Sequence, residues 1–64
     1  MVTVNGENLD IAGLSINDWL SKTEYDKSRI VVELNMEIVS KGSYNDVVLK
    51  DGDSVEVVSF VGGG

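Results

Sequence analysis

The residues able to do chemistry in this sequence are few, and the missing types narrow the choice. The 64 residues include no His and no Cys. That removes the usual general base at neutral pH, the thiol nucleophile and every Cys/His metal pattern. The serines have no base to activate them, and nothing in the sequence places the carboxylates together in a pocket. Asp51-Gly52-Asp53 suggests calcium, but an EF-hand loop needs further oxygen ligands and a Glu at its twelfth position. Turn chemistry accounts for it better. Gly62-Gly63-Gly64 is not a phosphate-binding loop, because neither a helix nor a Lys follows. What remains is the Gly64 carboxylate, which at a reference pKa of about 3.3–3.7 is ionised at neutral pH.

The stretch before it gives that carboxylate a setting. Ser54 to Val61 is rich in Val with one Phe, the composition of a strand. Three glycines then follow with no side chains to bury and a high entropic cost of ordering. The expectation is a strand anchored in a sheet that continues into a flexible tail over 62–64. A glycine strand is the narrowest peptide available, and it can enter a tunnel that excludes any Cβ. The plainer alternative is an inert Gly tail.

The span Asp51-Gly52-Asp53 through Phe60-Val61-Gly62-Gly63-Gly64 resembles the C-terminus of ubiquitin-like sulfur carrier proteins. The nearest resemblance is to the carrier of thiamine thiazole biosynthesis. The length, the Val4-Asn5-Gly6 opening and the segment Leu34-Asn35-Met36-Glu37-Ile38-Val39 fit the same family, so the likeness covers essentially the whole chain. It implies a β-grasp fold and a carrier without catalytic activity of its own. By this likeness, an adenylating partner binds ATP and Mg²⁺, and the Gly64 carboxylate is adenylated and then converted to a thiocarboxylate. A sulfur donor system supplies the sulfur, and thiazole synthase receives it. The small subunit of molybdopterin synthase has the same tail and a different acceptor. Two further alternatives are a β-grasp interaction module that carries no sulfur and a small acidic inhibitor of a basic enzyme.

The elements that must hold the tail can be followed along the chain. Val2 and Val4 alternate onto one face, and Asn5-Gly6 is the strongest short hairpin signal, since a type I′ turn needs φ > 0 at both central residues. Glu7 to Ile11 should be the return strand, with Leu9 and Ile11 inward. Ser15 to Thr23 predicts the one helix. Ser15 is its N-cap, Asp18 completes a capping-box pattern, and Ile16, Trp19, Leu20 and Thr23 form an apolar stripe. Trp19 on that stripe reads as core. Glu24 to Ser28 is a polar connection and Arg29 to Leu34 a strand with Ile30, Val32 and Leu34 on one face. Asn35-Met36 turns the chain; related carriers usually have Gly where Met36 stands, which leaves the turn type open. Glu37 to Val39 is a short strand. Ser40 to Asp46 is irregular, with a helical turn around Ser43-Tyr44-Asn45 and Tyr44 in a satellite of the core. Val47-Val48-Leu49 is a minor strand or an extended link.

In the last strand Val55 and Val57 face the helix stripe by parity, while Glu56, Val58 and Phe60 face the other way. One helix covers only one side of a sheet. Val58 and Phe60 are thus expected to be an exposed apolar pair which, with Val61, Gly62 and Gly63, binds the partner. The pattern is α+β, one mixed sheet over one helix, with a β-grasp domain over 1–61 and the tail over 62–64.

Composition bounds the rest. A chain of this size buries only about 60% of its unfolded surface and leaves little room for an enclosed active site. Five basic against 11 acidic residues give a net charge of −6, which argues against nucleic acid and favours a basic protein surface. No apolar run approaches the roughly 20 residues of a membrane span, and no signal peptide is visible. A cytoplasmic location and a monomer when free are expected.

Overall fold

The computed structural model describes residues 1–60. The expected end of the last strand at Val61 and the tail Gly62-Gly63-Gly64 lie outside the described residues. One mixed five-stranded sheet runs β2-β1-β5-β3-β4, with β1 Val2–Val4, β2 Glu7–Leu9, β3 Ile30–Leu34, β4 Glu37–Val39 and β5 Ser54–Ser59. The helix α1, Ile16–Ser21, covers one face. This is the ubiquitin-like β-grasp arrangement. β1 and β5 pair in parallel and the other neighbours are antiparallel.

The first hairpin follows its turn residues. Asn5 and Gly6 have φ of 48° and 85°, the positive pair of a type I′ turn. Asn35 and Met36 repeat the pattern at 51° and 73°, so the β3–β4 turn is of the same kind with a side chain at the position that favours Gly. Such a conformation costs an L-residue roughly 1–2 kcal/mol.

The core joins Val2, Val4, Ile16, Trp19, Leu20, Ile30, Val32, Leu49, Val55 and Val57, so the strand parities and the helix stripe fall as read. Ser15 Oγ accepts from the Asp18 N–H at 3.0 Å and caps the helix. The helix is shorter than the stripe suggested. Thr23 lies beyond it, with its hydroxyl donating to Leu20 O at 2.7 Å, a local bond that competes with further helix. β2 likewise stops at Leu9; Ile11 is half-buried and reaches the core from the following loop. β3 begins at Ile30, because Lys27–Arg29 form a 3₁₀ turn capped by the Asp26 side chain.

Two expectations in the 40s need correction. The helical turn lies at Lys41–Ser43, ahead of Ser43-Tyr44-Asn45, because Ser43 N–H donates back to Ser40 O at 2.9 Å. Tyr44 is 3% exposed and belongs to the main core, not to a satellite. Of the two alternatives for Val47-Val48-Leu49, the extended link holds; Val48 bridges to Ser15. Leu49 is held by its own N–H to Leu14 O and by the Gly13 N–H on its carbonyl, both at 2.8 Å.

Candidate functional site

The site is built around the end of β5, the central strand, which leads directly into the tail sequence. Its two flanks are secured by asparagines. Asn35 N–H donates to Ser54 O at 2.7 Å. Its side-chain oxygen accepts from Ser54 N–H at 2.9 Å, and its amide donates to Asp53 Oδ1 at 3.1 Å. On the opposite flank Asn5 N–H donates to Val55 O at 2.9 Å. The Asn5 side chain then continues the ladder where the β1 backbone has turned away. Its Oδ1 accepts from Val57 N–H at 2.8 Å and its Nδ2 donates to Val57 O at 3.3 Å. Each asparagine therefore does two jobs: it takes the positive φ of a hairpin turn and pins β5 with its amide. The sequence reading saw only the turns.

The far end of β5 is tied on the β3 side. Phe60 N–H donates to Arg29 O at 2.8 Å. Arg29 is itself held by Asp26, Nε to Oδ2 at 3.6 Å. The Ser28 hydroxyl and backbone N–H both donate to Asp26 Oδ1, at 2.7 and 3.0 Å. These two bonds, the hydroxyl first, hold the Asp26 carboxyl below its usual pKa. At the start of β5, Asp51 pairs with the Met1 ammonium, and Gly52 N–H donates to Met1 O at 2.9 Å.

Val58 and Phe60 lie where parity put them, on the face away from α1, 53% and 47% exposed. Register places Val31 opposite Val58, Glu33 opposite Glu56, and Ile38 on β4 beside Glu33. Ile38 is exposed and extends the apolar surface; the Glu37–Val39 alternation signalled it, but the sequence reading did not use it. The remaining predicted residues, Val61, Gly62, Gly63 and Gly64, lie outside the described residues. Among the described residues no three His, Cys, Asp or Glu groups gather to hold a metal, and no helix is long and apolar enough to cross a membrane.

Comparison with known proteins agrees with this geometry. The ThiS family model matches residues 2–64. The chain is 42% identical over 50 residues to the sulfur carrier protein ThiS of Bacillus subtilis, covering 78% of this chain and 76% of that one. It superposes on the crystal structure of a thiamine biosynthesis protein (ThiS) from Geobacter metallireducens with a TM-score of 0.78 and 37% identity, covering 98% and 97% of the two chains. It is also 39% identical over 64 residues to a thiazole synthase of Paramagnetospirillum magneticum. There it covers 98% of this chain and spans only about a fifth, 20%, of that longer protein. The chain thus belongs to the ThiS family.

Proposed function

We propose that the Gly64 carboxylate is the working group of this carrier, activated by a partner and exchanged for a thiocarboxylate. The observation that carries the reading is the anchoring of β5. The strand is bonded on its β3 side through Phe60, and four residues remain after it. Fully extended, four residues span at most about 14 Å, enough to bring a terminus into a partner's active site while the folded domain stays outside. The carboxylate oxygen attacks the α-phosphate of ATP bound with Mg²⁺ on an adenylating enzyme, and pyrophosphate leaves. Sulfide-level sulfur from a donor system then attacks the acyl carbon, and AMP leaves. A carboxylate is a poor acyl donor and the mixed anhydride a good one, so activation must come first. The thiocarboxylate is a soft nucleophile that can be carried to an acceptor.

That acceptor is thiazole synthase. A homologous segment occurs within thiazole synthase chains of two organisms, which favours the thiamine pathway over molybdopterin. The partner enzymes supply the catalytic groups; the carrier supplies the nucleophile and a docking surface of Val58, Phe60, Val61, Gly62 and Gly63. The setting is cytoplasmic. The test is to add one residue after Gly64, or to delete Gly63-Gly64, and measure ATP-dependent adenylation by intact mass. Both changes are expected to abolish it with the circular dichroism unchanged. Full adenylation of the extended chain would refute the mechanism.

A further inference from the structure

The two sides of β5 end at different places. On the β3 side the hydrogen-bonded pairs are fixed by Asn35 to Ser54 at one end and Phe60 to Arg29 at the other. In the register between them, the backbone groups of Ser54, Glu56, Val58 and Phe60 point at β3. The alternate residues point the other way. Asp53 and Val55 accept from Thr3 and Asn5 of the β1 segment, and Val57 is closed by the Asn5 side chain. The next residue in that series is Ser59. The chain has already turned away at Asn5-Gly6, and among the described residues no partner meets the Ser59 N–H or carbonyl on this side. Ser59 is exposed. Besides the outer edges of β2 and β4, β5 thus has among the described residues an unpaired edge at Ser59, close before the tail, where β1 would have run had it been longer.

We propose that this edge is a strand-addition site. The adenylating partner lays an extended segment in the position β1 leaves empty and exchanges backbone hydrogen bonds with Ser59. The inference rests on the carrier reading and adds how the partner holds the chain. Four residues remain beyond Phe60, most of them without side chains, so side-chain pockets can recognise little of the tail. Backbone pairing is the recognition open to such a segment, and an exposed strand edge is its usual template. Pairing that begins at Ser59 would set the direction of the residues that follow before they reach the active site. It would also place the partner segment beside the exposed Val58 and Phe60. The Asn5 amide marks the boundary: it closes Val57, so the added strand starts after it.

Parity gives a sharp test. Amide hydrogen exchange is measured residue by residue in the full chain, alone and with an excess of the adenylating enzyme. Val58 and Phe60 amides, bonded to β3 already, should exchange slowly in both. The Ser59 amide should exchange fast when free and slow by at least about tenfold in the complex. Equal exchange at Ser59 with and without the enzyme overturns the proposal, as does protection by thiazole synthase alone. Ser59→Pro, which removes the N–H, should weaken binding about tenfold or more, while Ser59→Ala should stay within about twofold. Wild-type affinity in the Pro variant also overturns it, and if that variant fails to fold, the exchange measurement on the unaltered chain still decides. Adenylation of the wild-type chain is scored alongside. Its absence counts against the carrier reading, whereas adenylation without Ser59 protection counts against the added strand alone.

Discussion

Replacing Phe60 by Ala separates a docking residue from a core residue, because the two roles fail in different assays. Phe60 is 47% exposed, so about half of its side chain is buried against the domain. Full burial of a Phe is worth roughly 1.5–3 kcal/mol relative to exposure, and half of that is about 0.8–1.5 kcal/mol. The backbone bond from Phe60 N–H to Arg29 O survives the substitution and keeps the end of β5 in register. The free domain should therefore lose about 1 kcal/mol, a drop in Tm of roughly 4–8 °C for a domain of this size. A Phe truncated in a closed core would cost about 3–5 kcal/mol. An aromatic at the centre of an interface loses roughly 1–3 kcal/mol of binding, a fall in affinity of about five- to 150-fold. Unfolding is followed through Trp19, which is 3% exposed in the core and the only Trp in the chain. Affinity for the adenylating enzyme is measured by calorimetric titration. A loss of 3 kcal/mol or more in stability with affinity unchanged would refute the docking role and the face assignment of β5 with it.

Two further substitutions test the domain that presents the tail. Met36→Gly should raise stability by about 0.5–1 kcal/mol, since it relieves a left-handed conformation worth roughly 1–2 kcal/mol and loses part of that to the freer unfolded chain. Met36 is 92% exposed, so no core contact is lost; Met36→Ala keeps the Cβ and should show no gain, and a destabilised Gly variant in urea titration would count against the strain. Tyr44→Phe should leave stability unchanged or raise it by about 1 kcal/mol, because the Tyr44 hydroxyl is buried with no hydrogen-bond partner among the described residues. Burial pushes the Tyr44 phenol pKa up, while the Val32 backbone beside it pulls weakly the other way without forming a full hydrogen bond. The folded state therefore holds this proton after the unfolded state has released it. The associated stability is present below pH ~10 and falls as pH rises above it. The Phe variant should lose that share of the alkaline decline, which urea titrations between pH 9 and pH ~11 can measure.

Local patterns were legible where one residue type decides a local geometry. Asn5-Gly6 gave its turn by φ preference alone, and the alternation of Val55, Glu56, Val57 and Val58 assigned both faces of β5. Ile16, Trp19 and Leu20 marked the buried side of α1. Tyr44 was underestimated because it stands alone in an irregular stretch, where no period shows how deep a side chain will sink. Leu49 belongs to the core through bonds to Gly13 and Leu14, a distant pairing that leaves no mark on its own neighbours. The carboxylate proposed as the working group was singled out by elimination, since a chain without His or Cys offers few rivals to it.

The anchoring of β5 was much less legible, and the reason lies in Asn5. Its turn chemistry is local, but its amide reaches a strand 52 residues later. The short β1 has a consequence that neither segment shows alone. Because the chain turns back after Val4, the parallel ladder stops early, and Asn5 closes Val57 with a side chain where a longer strand would have used its backbone. Among the described residues, β5 beyond Val57 and the following Phe60 then have only the β3 side to hold them. Had β1 continued through position 7, the Ser59 N–H would be paired within the domain, and the segment entering the tail would be fastened on both sides. A carrier must be rigid enough to present its tail and open enough to surrender it. On the proposed reading, the β3 flank of this strand serves the first requirement and the unpaired flank at Ser59 the second.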